Sequence, residues 1–257
     1  MIRFENVSFS YGDAPVLRDV SFSVAPGETV VMLGISGSGK STILKLVAGL
    51  VHAQTGRIWI NEREMTNADE DEWRQLRTKI GYVFQGGALF DSMTVGENIG
   101  YALLEHTDKS IAEIEHIARE TLKFLNLSER IIDDLPDALS GGMQRRVAIG
   151  RAVAAVDPLI MLYDEPTTGL DPISTRSITE LILKLQSVKN VSSIIVTHQI
   201  ADAFELTDHF IVLHDGVMVF DGTGVDLLKS QQEHVREFLA PFLDSLHALP
   251  KVAGAGT

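Results

Sequence analysis

The N-terminal region alternates hydrophobic and polar positions with a period of two, which is the pattern of half-buried β-strands. Turn-forming residues separate the alternating runs, because residues 12–15 contain Gly and Pro and Pro26-Gly27 follows the second run. We therefore predict strands that each turn one face toward a core. The apolar positions of this alternation are Ile2, Phe4, Val7 and Phe9, followed by Val20, Phe22 and Val24.

Short apolar runs farther along the chain predict strands that are buried on both faces. The first, at residues 29–33, ends in a glycine-rich loop, and residues 41–50 then place apolar side chains at helical spacing. A strand, a loop and a helix in this order open an α/β nucleotide-binding core. The other runs suit a sheet that helices cover on both sides, and they lie at residues 80–84, 159–163, 193–197 and 210–213.

The stretch between the runs at 80–84 and 159–163 is mostly helical by its period. We expect about residues 87–155 to form a helical subdomain inserted into the sheet core, within a domain of residues 1–230. The apolar positions on one helix face are Ile111, Ile114, Ile117, Ala118, Leu122 and Leu125.

Residues 231–257 form a C-terminal extension with a second helical stripe. Pro241 interrupts the stripe, because proline lacks an N–H and clashes with the carbonyl four residues earlier. We expect a helix that ends near Leu239, a second short turn that begins at Pro241, and mobile residues at Pro250 and 254–257. The stripe can pack on its own core or contact another chain, and it consists of Val235, Phe238, Leu239, Phe242, Leu243 and Leu246.

The composition excludes several classes of protein and of binding site. The 35 acidic residues outnumber the 22 basic ones and give a net charge of −13, which argues against broad nucleic-acid binding and unaided adhesion to anionic membranes. The chain has no cysteine, which excludes disulfides, thiolate zinc sites and iron–sulfur clusters. No run approaches the roughly 18 apolar residues of a membrane span, and the charged first residues do not resemble a signal peptide. We expect a soluble, non-secreted protein that reaches a membrane through a partner.

Residues 34–41 match the P-loop pattern G-x-x-x-x-G-K-[ST] between a predicted strand and a predicted helix. Glycines let backbone N–H groups curl around phosphate oxygens, and the helix N-terminus adds partial positive charge. Lys40 is expected to reach the β- and γ-phosphates, and the Ser41 hydroxyl to ligate Mg²⁺. The nucleotide-binding candidates here are Gly34, Ser36, Gly37, Ser38, Gly39, Lys40, Ser41 and Thr42.

Two carboxylates, Asp164 and Glu165, follow the apolar run at residues 159–163. A strand that ends beside the P-loop would place Asp164 at the Mg²⁺, through water, and Glu165 where it can polarise the attacking water. The pattern alone is weak because many buried strands end in an acid, so a solvated strand end is the alternative.

Ser140, Gly141 and Gly142 offer a second anion site. They combine a hydroxyl, exposed backbone N–H groups and the N-terminus of the helical run at residues 145–155. A chain that used both sites on one nucleotide would need them on opposite faces of a two-fold dimer. Taken alone, the motif also fits a helix start with a serine cap and a glycine turn.

In order and spacing, these motifs resemble the ATP-binding-cassette (ABC) ATPase family over almost the whole chain. The resemblance implies an α/β fold, with a P-loop (RecA-like) sheet core, an N-terminal antiparallel β-subdomain and an inserted helical subdomain. Motif by motif, Tyr11 matches the adenine-stacking aromatic, residues 34–41 the Walker A loop, Gln85 the Q-loop, residues 139–144 the signature motif, Asp164-Glu165 the end of Walker B, residues 169–171 the D-loop and His198 the switch histidine.

This resemblance also implies an active ATPase that uses ATP and Mg²⁺. Tyr11 would give adenine a flat apolar platform, and a neutral His198 would contact the γ-phosphate and hold the water and Glu165 in position. Hydrolysis would require closure of a homodimer, because the signature motif reaches the nucleotide from the second copy. The implied catalytic residues are Glu165, His198, Gln85 and Lys40, the implied metal ligands are Ser41, Gln85 and Asp164, and the implied signature contacts are Ser140, Gly141 and Gly142.

The segment at residues 86–95, with residues 97–99 and 104–107, resembles the ATPases of Mla/Mce-type phospholipid transporters, which maintain outer-membrane lipid asymmetry. This likeness implies an integral membrane permease at the bacterial inner membrane, with the ATPase on its cytoplasmic face. It also implies a small accessory subunit, a lipid-binding Mce-type protein and no nucleic-acid partner, and it suggests that the C-terminal stripe reaches the other protomer. A groove for a short permease helix is predicted at Leu89, Phe90 and Met93, with internal packing as the alternative.

Three other classes remain as alternatives. The first is an importer or exporter ATPase for another solute, such as amino acids or lipoproteins, in which only the docking surface differs. The second is a non-transport cassette in DNA repair or translation, a class that usually carries coiled coils, zinc cysteines, tandem cassettes or a basic face. The third is an unrelated P-loop kinase or GTPase, which would lack Ser140-Gly141-Gly142 and His198 at these spacings.

Overall fold

The computed structural model describes residues 1–154 and 158–248 of the 257-residue chain. These residues form two β-sheets, and helices cover both sides of the larger sheet. The strands are β1 (Ile2–Tyr11), β2 (Ala14–Val24), β3 (Thr29–Leu33), β4 (Thr55–Ile60), β5 (Arg63–Glu64), β6 (Ile80–Val83), β7 (Ile160–Asp164), β8 (Ser192–Thr197), β9 (His209–His214) and β10 (Val217–Thr223). The helices are α1 (Lys40–Val47), α2 (Glu70–Arg77), α3 (Val95–His106), α4 (Ile111–Phe124), α5 (Gly141–Ala154), α6 (Pro172–Lys189), α7 (Ile200–Leu206), α8 (Gly224–Lys229) and α9 (Glu233–Ala248), with 3-10 turns at Glu129–Ile131 and Pro136–Ala138.

The smaller sheet has four antiparallel strands in the order β2-β1-β4-β5. The predicted alternation fixes its register, since Ile2 pairs with Val24 and Phe4 pairs with Phe22. The rings of Phe4 and Phe22 stack with their centroids 4.6 Å apart. This sheet buries its apolar face against α1 and one face of the larger sheet, which confirms the predicted N-terminal antiparallel subdomain.

The larger sheet has six strands in the order β10-β9-β3-β8-β7-β6, and every neighbouring pair is parallel except β10 with β9. All the apolar runs predicted as buried strands lie in this sheet. Because parallel strands end at the same edge, the loops after β3, β6, β7 and β8 meet there. That edge carries the P-loop, Gln85, Glu165 and His198.

Helices α3, α4 and α5 lie between β6 and β7 in the chain and enclose a core of their own. Each of α3 and α4 begins with a capping box, formed by Thr94 with Glu97 and by Ser110 with Glu113. The inserted helical region therefore has its own apolar centre, although Ala155 at the end of the predicted range lies outside the described residues. Within residues 1–154 and 158–248, no helix combines the length and apolar character needed to cross a membrane.

Helix α9 shows that the predicted helix end near Leu239 is wrong. The helix continues through Pro241, which lies inside it. Val235 and Leu239 are buried against the large sheet's core, and burying a large apolar side chain contributes about 1.5–3 kcal/mol. Such contacts can offset the cost of about 3 kcal/mol for an interior proline. The half-buried Phe238, Phe242 and Leu243 of the same stripe also pack on this core. The residues predicted to be mobile, Pro250 and 254–257, lie outside the described residues.

Candidate nucleotide-binding and hydrolysis site

The loop between β3 and α1 requires glycine at two positions. Gly34 has a φ of 152°, and a Cβ there would lie 2.3 Å from the carbonyl oxygen of Leu213. Gly39 has a φ of 103°, and a Cβ there would lie 2.7 Å from the Cδ2 of Leu17. Gly39 also leaves the start of α1 without a side-chain cap, so no side chain of its own competes for the first helical N–H groups. The backbone thus shapes this loop for an anion.

Lys40 holds its ammonium group inside this loop. The side chain is buried, and Nζ donates hydrogen bonds to the carbonyl oxygens of Gly34 at 2.7 Å and Ile35 at 2.9 Å. Burial lowers the pKa of Lys40, and the charges of Glu165 and Asp164 oppose that shift. A buried cation held by carbonyl dipoles is favourably placed to pair with an incoming anion.

The remaining P-loop candidates divide by exposure. Ser36 and Gly37 are exposed at the tip, whereas Ser38 and Thr42 are buried. The Ser38 hydroxyl is buried without a hydrogen-bond partner in the part of the chain that the structure describes. The loop therefore offers an open tip above a closed base.

Ser41 on α1 and Asp164 at the end of β7 meet directly. The Ser41 Oγ donates a hydrogen bond to Oδ1 of Asp164 at 2.9 Å. Burial raises the pKa of Asp164, and the Ser41 hydrogen bond counteracts that shift. A hydroxyl beside a buried carboxylate supplies the hard oxygen donors that Mg²⁺ prefers, and a cation there would stabilise the ionised carboxylate. These residues fit the metal that the sequence predicts.

Glu165 occupies a strained backbone position. Its φ of 49° lies in the left-handed region, which costs an L-residue about 1–2 kcal/mol. Its backbone N–H donates to the carbonyl of Val196 at 2.9 Å, and the Thr168 hydroxyl donates to Oε2 at 2.8 Å. Strain of this kind persists only where the surroundings fix the residue, and it clusters at functional sites. The carboxylate is therefore held in one place rather than free at a strand end.

The structure brings His198 to Glu165. Nδ1 of His198 lies 3.0 Å from each carboxylate oxygen of Glu165. The His198 side chain is 51% exposed, whereas that of Glu165 is 12% exposed. Within the described residues Nε2 of His198 has no hydrogen-bond partner. One ring nitrogen thus contacts the buried carboxylate, and the other is open to a ligand.

Gln85 and Tyr11 lie nearby but are not hydrogen-bonded to these groups within the described residues. Gln85 is exposed and comes two residues after Val83, which pairs with Tyr163 beside Asp164. Tyr11 is half exposed at the end of β1, with the ammonium of Lys45 at 6.0 Å from its ring centre. Both side chains are therefore open to solvent.

The signature residues begin helix α5. The Ser140 hydroxyl accepts a hydrogen bond from the N–H of Met143 at 3.3 Å, so the serine does cap the helix. Ser140 and Gly141 are exposed, whereas Gly142 is buried, and a Cβ there would lie 2.6 Å from the hydroxyl of Ser174. No hydrogen bond in the described part of the chain joins this motif to the P-loop. Ser140 and Gly141 are open to solvent, as a site completed by another chain requires.

Arg145 is a buried member of the site that the sequence patterns do not identify. Its guanidinium donates to the carbonyl oxygens of Phe84 at 3.3 Å and Thr168 at 3.4 Å, and burial lowers its pKa. It therefore connects the segment before Gln85 to the loop after Glu165. No sequence signal distinguishes it from Arg146 beside it, whereas Thr168 could be suspected because it follows Glu165 so closely.

Comparison with known proteins gives a consistent set of matches. Residues 17–168 match the family model described as ABC transporter. An Intermembrane phospholipid transport system ATP-binding protein, MlaF of Haemophilus influenzae, is 33% identical over 93% of this chain and 90% of its own length. The Arabidopsis thaliana protein TRIGALACTOSYLDIACYLGLYCEROL 3 is 35% identical over 95% of this chain and 74% of its length. A choline transport ATP-binding protein, OpuBA of Bacillus subtilis, is 37% identical over 93% of this chain and 62% of its length.

Solved structures show the same fold. An ATP-binding cassette in a dimeric, post-hydrolysis state with ADP and Pi superimposes with a TM-score of 0.79 and 34% identity. The alignment covers 87% of this chain and 98% of that one. A second dimeric structure, of a bacterial ABC transporter cassette, superimposes equally well, with a TM-score of 0.79. These matches confirm the predicted α/β cassette fold.

Proposed function

The chain belongs to the ABC transporter family and is an ATPase, and from this premise we propose that its ATP hydrolysis drives phospholipid transport through a membrane permease. The observation that carries the phospholipid assignment is the agreement between two relatives from different kingdoms. The bacterial one is named for intermembrane phospholipid transport, and the plant one bears the name of a galactolipid. The resemblance of residues 86–95 to phospholipid-transport ATPases supports the same assignment.

For the nucleotide, we assign the phosphates to the P-loop and adenine to Tyr11. Lys40 already points its buried ammonium into the loop, where it can pair with the β- and γ-phosphates. Glu165 polarises the attacking water or accepts a proton from it. His198 holds the Glu165 carboxylate through Nδ1, and the exposed side of the His198 ring faces the γ-phosphate. The loop contacts come from Gly34, Ser36, Gly37, Ser38, Gly39, Ser41 and Thr42.

For the metal, we assign Mg²⁺ to Ser41, Asp164 and Gln85. Their hydroxyl, carboxylate and amide oxygens are hard donors, and Ser41 and Asp164 are already 2.9 Å apart. Bound there, Mg²⁺ would neutralise phosphate charge during phosphoryl transfer. Exposed Gln85 would join the site from the β6 edge, linking nucleotide state to the helical region that follows.

For the assembly, we propose a homodimer in which Ser140, Gly141 and Gly142 of one copy complete the phosphate site of the other. The exposure of Ser140 and Gly141 supports this arrangement. Both solved cassettes that were compared with this chain above are dimers. Closure would bring the second copy's hydroxyl and N–H groups to the phosphates and exclude water.

The permease docks, in this proposal, on the segment after Gln85. Phe90 is 39% exposed, and its ring centre lies 4.7 Å from that of Tyr101 and 5.4 Å from the Cζ of Arg151. Leu89 and Met93 are half buried, and Leu89 packs on the helical core, so Phe90 is the member of the predicted groove that a partner can contact most. Buried Asn98 fixes the segment, because its side chain bonds the backbone of Phe90.

This assembly would place the chain on the cytoplasmic face of a bacterial inner membrane, held there by the permease. A small accessory subunit and a lipid-binding Mce-type protein are the further partners we propose, on the strength of the MlaF likeness. A cassette that transports another solute is the second candidate, because the choline transport relative is 37% identical. The nucleotide site is common to both candidates, so the cargo has to be measured.

The test is purification of the full-length tagged chain with its membrane subunit, followed by reconstitution into liposomes. We expect mass spectrometry to find phospholipid in the complex, and labelled phospholipid to move between membranes only with ATP. A complex carrying Glu165→Gln is the matched control and should hold lipid without moving it. ATP-dependent uptake of labelled choline without lipid movement would favour the second candidate.

A further inference from the structure

A partly buried hydrogen bond joins the loop after Glu165 to the helix after His198. The hydroxyl of Thr167, two residues beyond Glu165, donates to Oδ2 of Asp202 at 2.8 Å. Thr167 is 2% exposed, so its hydroxyl lies away from solvent, whereas Asp202 is half buried. The bond joins two segments that are 35 positions apart in the chain.

The position of the His198 ring depends on the elements on either side of it in the chain. Its ring is half exposed and contacts Glu165 through one nitrogen, so little packing restrains it. It lies between the end of β8 and the start of α7. Strand β8 is fixed by its two neighbours in the sheet, and the position of the ring therefore depends on where α7 is held.

Helix α7 is well fixed on the side away from the site. Ala203 and Leu206 are buried in the core. The ring of Phe204 lies 4.8 Å from that of Phe210 on β9 and 6.0 Å from that of Phe242 on α9. Asp202 attaches the opposite side of α7 to the loop after Glu165, so α7 connects that loop to His198.

We propose that Asp202 is a positioning residue for ATP hydrolysis: by accepting the Thr167 hydrogen bond it holds α7, and through it His198, against Glu165. A displaced His198 would leave the nucleotide contacts of the P-loop intact and would lower the rate of the chemical step. This inference rests on the proposed roles of Glu165 and His198.

The test uses ATPase kinetics of the full chain in its transporter complex. Asp202→Ala and Thr167→Val each remove the bond, and we expect each to lower kcat about tenfold with the KM for ATP changed less than about twofold. The double variant should show the same loss as either single variant, because both remove one interaction. Asp202→Asn keeps an oxygen that can accept the bond and should restore kcat to within about threefold of the parent.

Two controls separate this role from general stability and from failure of the proposed function. Glu205→Ala removes an exposed carboxylate from the same helix and should leave kcat unchanged. If Asp202→Ala unfolds, Thr167→Val decides, since valine has nearly the same shape. Parental kcat in Thr167→Val, together with loss of turnover in Glu165→Gln, would overturn the positioning role alone, whereas turnover in Glu165→Gln would overturn the proposed role of Glu165 first.

Discussion

Two histidines stand beside carboxylates at opposite edges of the large sheet. His198 follows the carboxyl end of β8 and contacts Glu165, whereas His209 begins β9 at the amino edge and contacts Glu28 and Asp221. The residue types and distances are similar at the two places. The difference lies in how many ring nitrogens are engaged and how much of each ring is exposed.

At the amino edge both ring nitrogens of His209 are engaged. Nδ1 lies 2.6 Å from Glu28 and Nε2 lies 2.7 Å from Asp221, and the side chain is 25% exposed. Burial lowers the pKa of His209, but the hydrogen bonds to the two carboxylates outweigh it and leave the pKa raised. The imidazole therefore crosslinks β10 to the segment before β3 and has no nitrogen left for a ligand.

At the carboxyl edge His198 uses one nitrogen and leaves the other open, and its carboxylate partner sits on a strained backbone. A fully engaged histidine stabilises the fold, whereas a half-engaged one beside a fixed carboxylate can act on a substrate. The two regions show that proximity of histidine to an acid does not by itself define a catalytic site.

The largest effect is expected from Glu165→Gln. The amide keeps the shape of the side chain but cannot accept a proton, so we expect turnover to fall by about 10²–10⁴-fold with ATP affinity nearly unchanged. ATP-dependent dimers should accumulate, as measured by size-exclusion chromatography with light scattering. Parental turnover in this variant would contradict the catalytic role of the carboxyl edge.

The next effect is expected from His198→Ala. Loss of the contact to Glu165 should lower kcat by about 10–100-fold, and because the ring is half exposed the melting temperature should change little. Steady-state ATPase assays and calorimetry on the same preparation check both halves. A large loss of stability with normal kcat would make His198 structural, like His209.

The reverse result is expected from His209→Ala. It leaves Glu28 and Asp221 without their shared partner, and we expect a loss of about 1–2 kcal/mol, or roughly 2–8 °C in melting temperature. The KM for ATP and kcat should stay near the parental values, because the residue lies at the opposite edge from the P-loop. A fall in kcat without a fall in melting temperature would show that the amino edge takes part in function.

The smallest effect is the pH dependence of that stabilisation. Because the pKa of His209 is raised by folding, its contribution is complete below the ordinary histidine pKa of about 6.5 and is lost as pH rises through the raised value. The difference in melting temperature between the parent and His209→Gln should therefore be larger at about pH 6 than at about pH 9. Asp221→Asn removes one of the two carboxylates beside His209, so in that background His209→Gln should change the melting temperature less. An effect of His209→Gln that grows with pH would contradict the raised pKa of His209.

Most strands of the two sheets could be predicted from the sequence, because each of these strands has a local pattern of its own. Alternation defined β1 and β2, short apolar runs defined β3 and β6 to β9, and the P-loop spacing located Lys40 and Ser41. Strands β4, β5 and β10 gave no comparable signal. Strand β5 has only two residues, Arg63 and Glu64, and both are exposed.

Which of these residues meet could be seen only in the folded chain. The contact of Glu28 with His209 joins positions 181 apart, and that of Ser41 with Asp164 joins positions 123 apart. Arg145 and Asp202 entered the site in the same way, through partners that no local pattern identifies. Strand order fixes such pairs, and strand order follows from packing over the whole domain. Packing also explains why α9 continues past Pro241, because the apolar contacts along the helix offset the tendency of proline to end it.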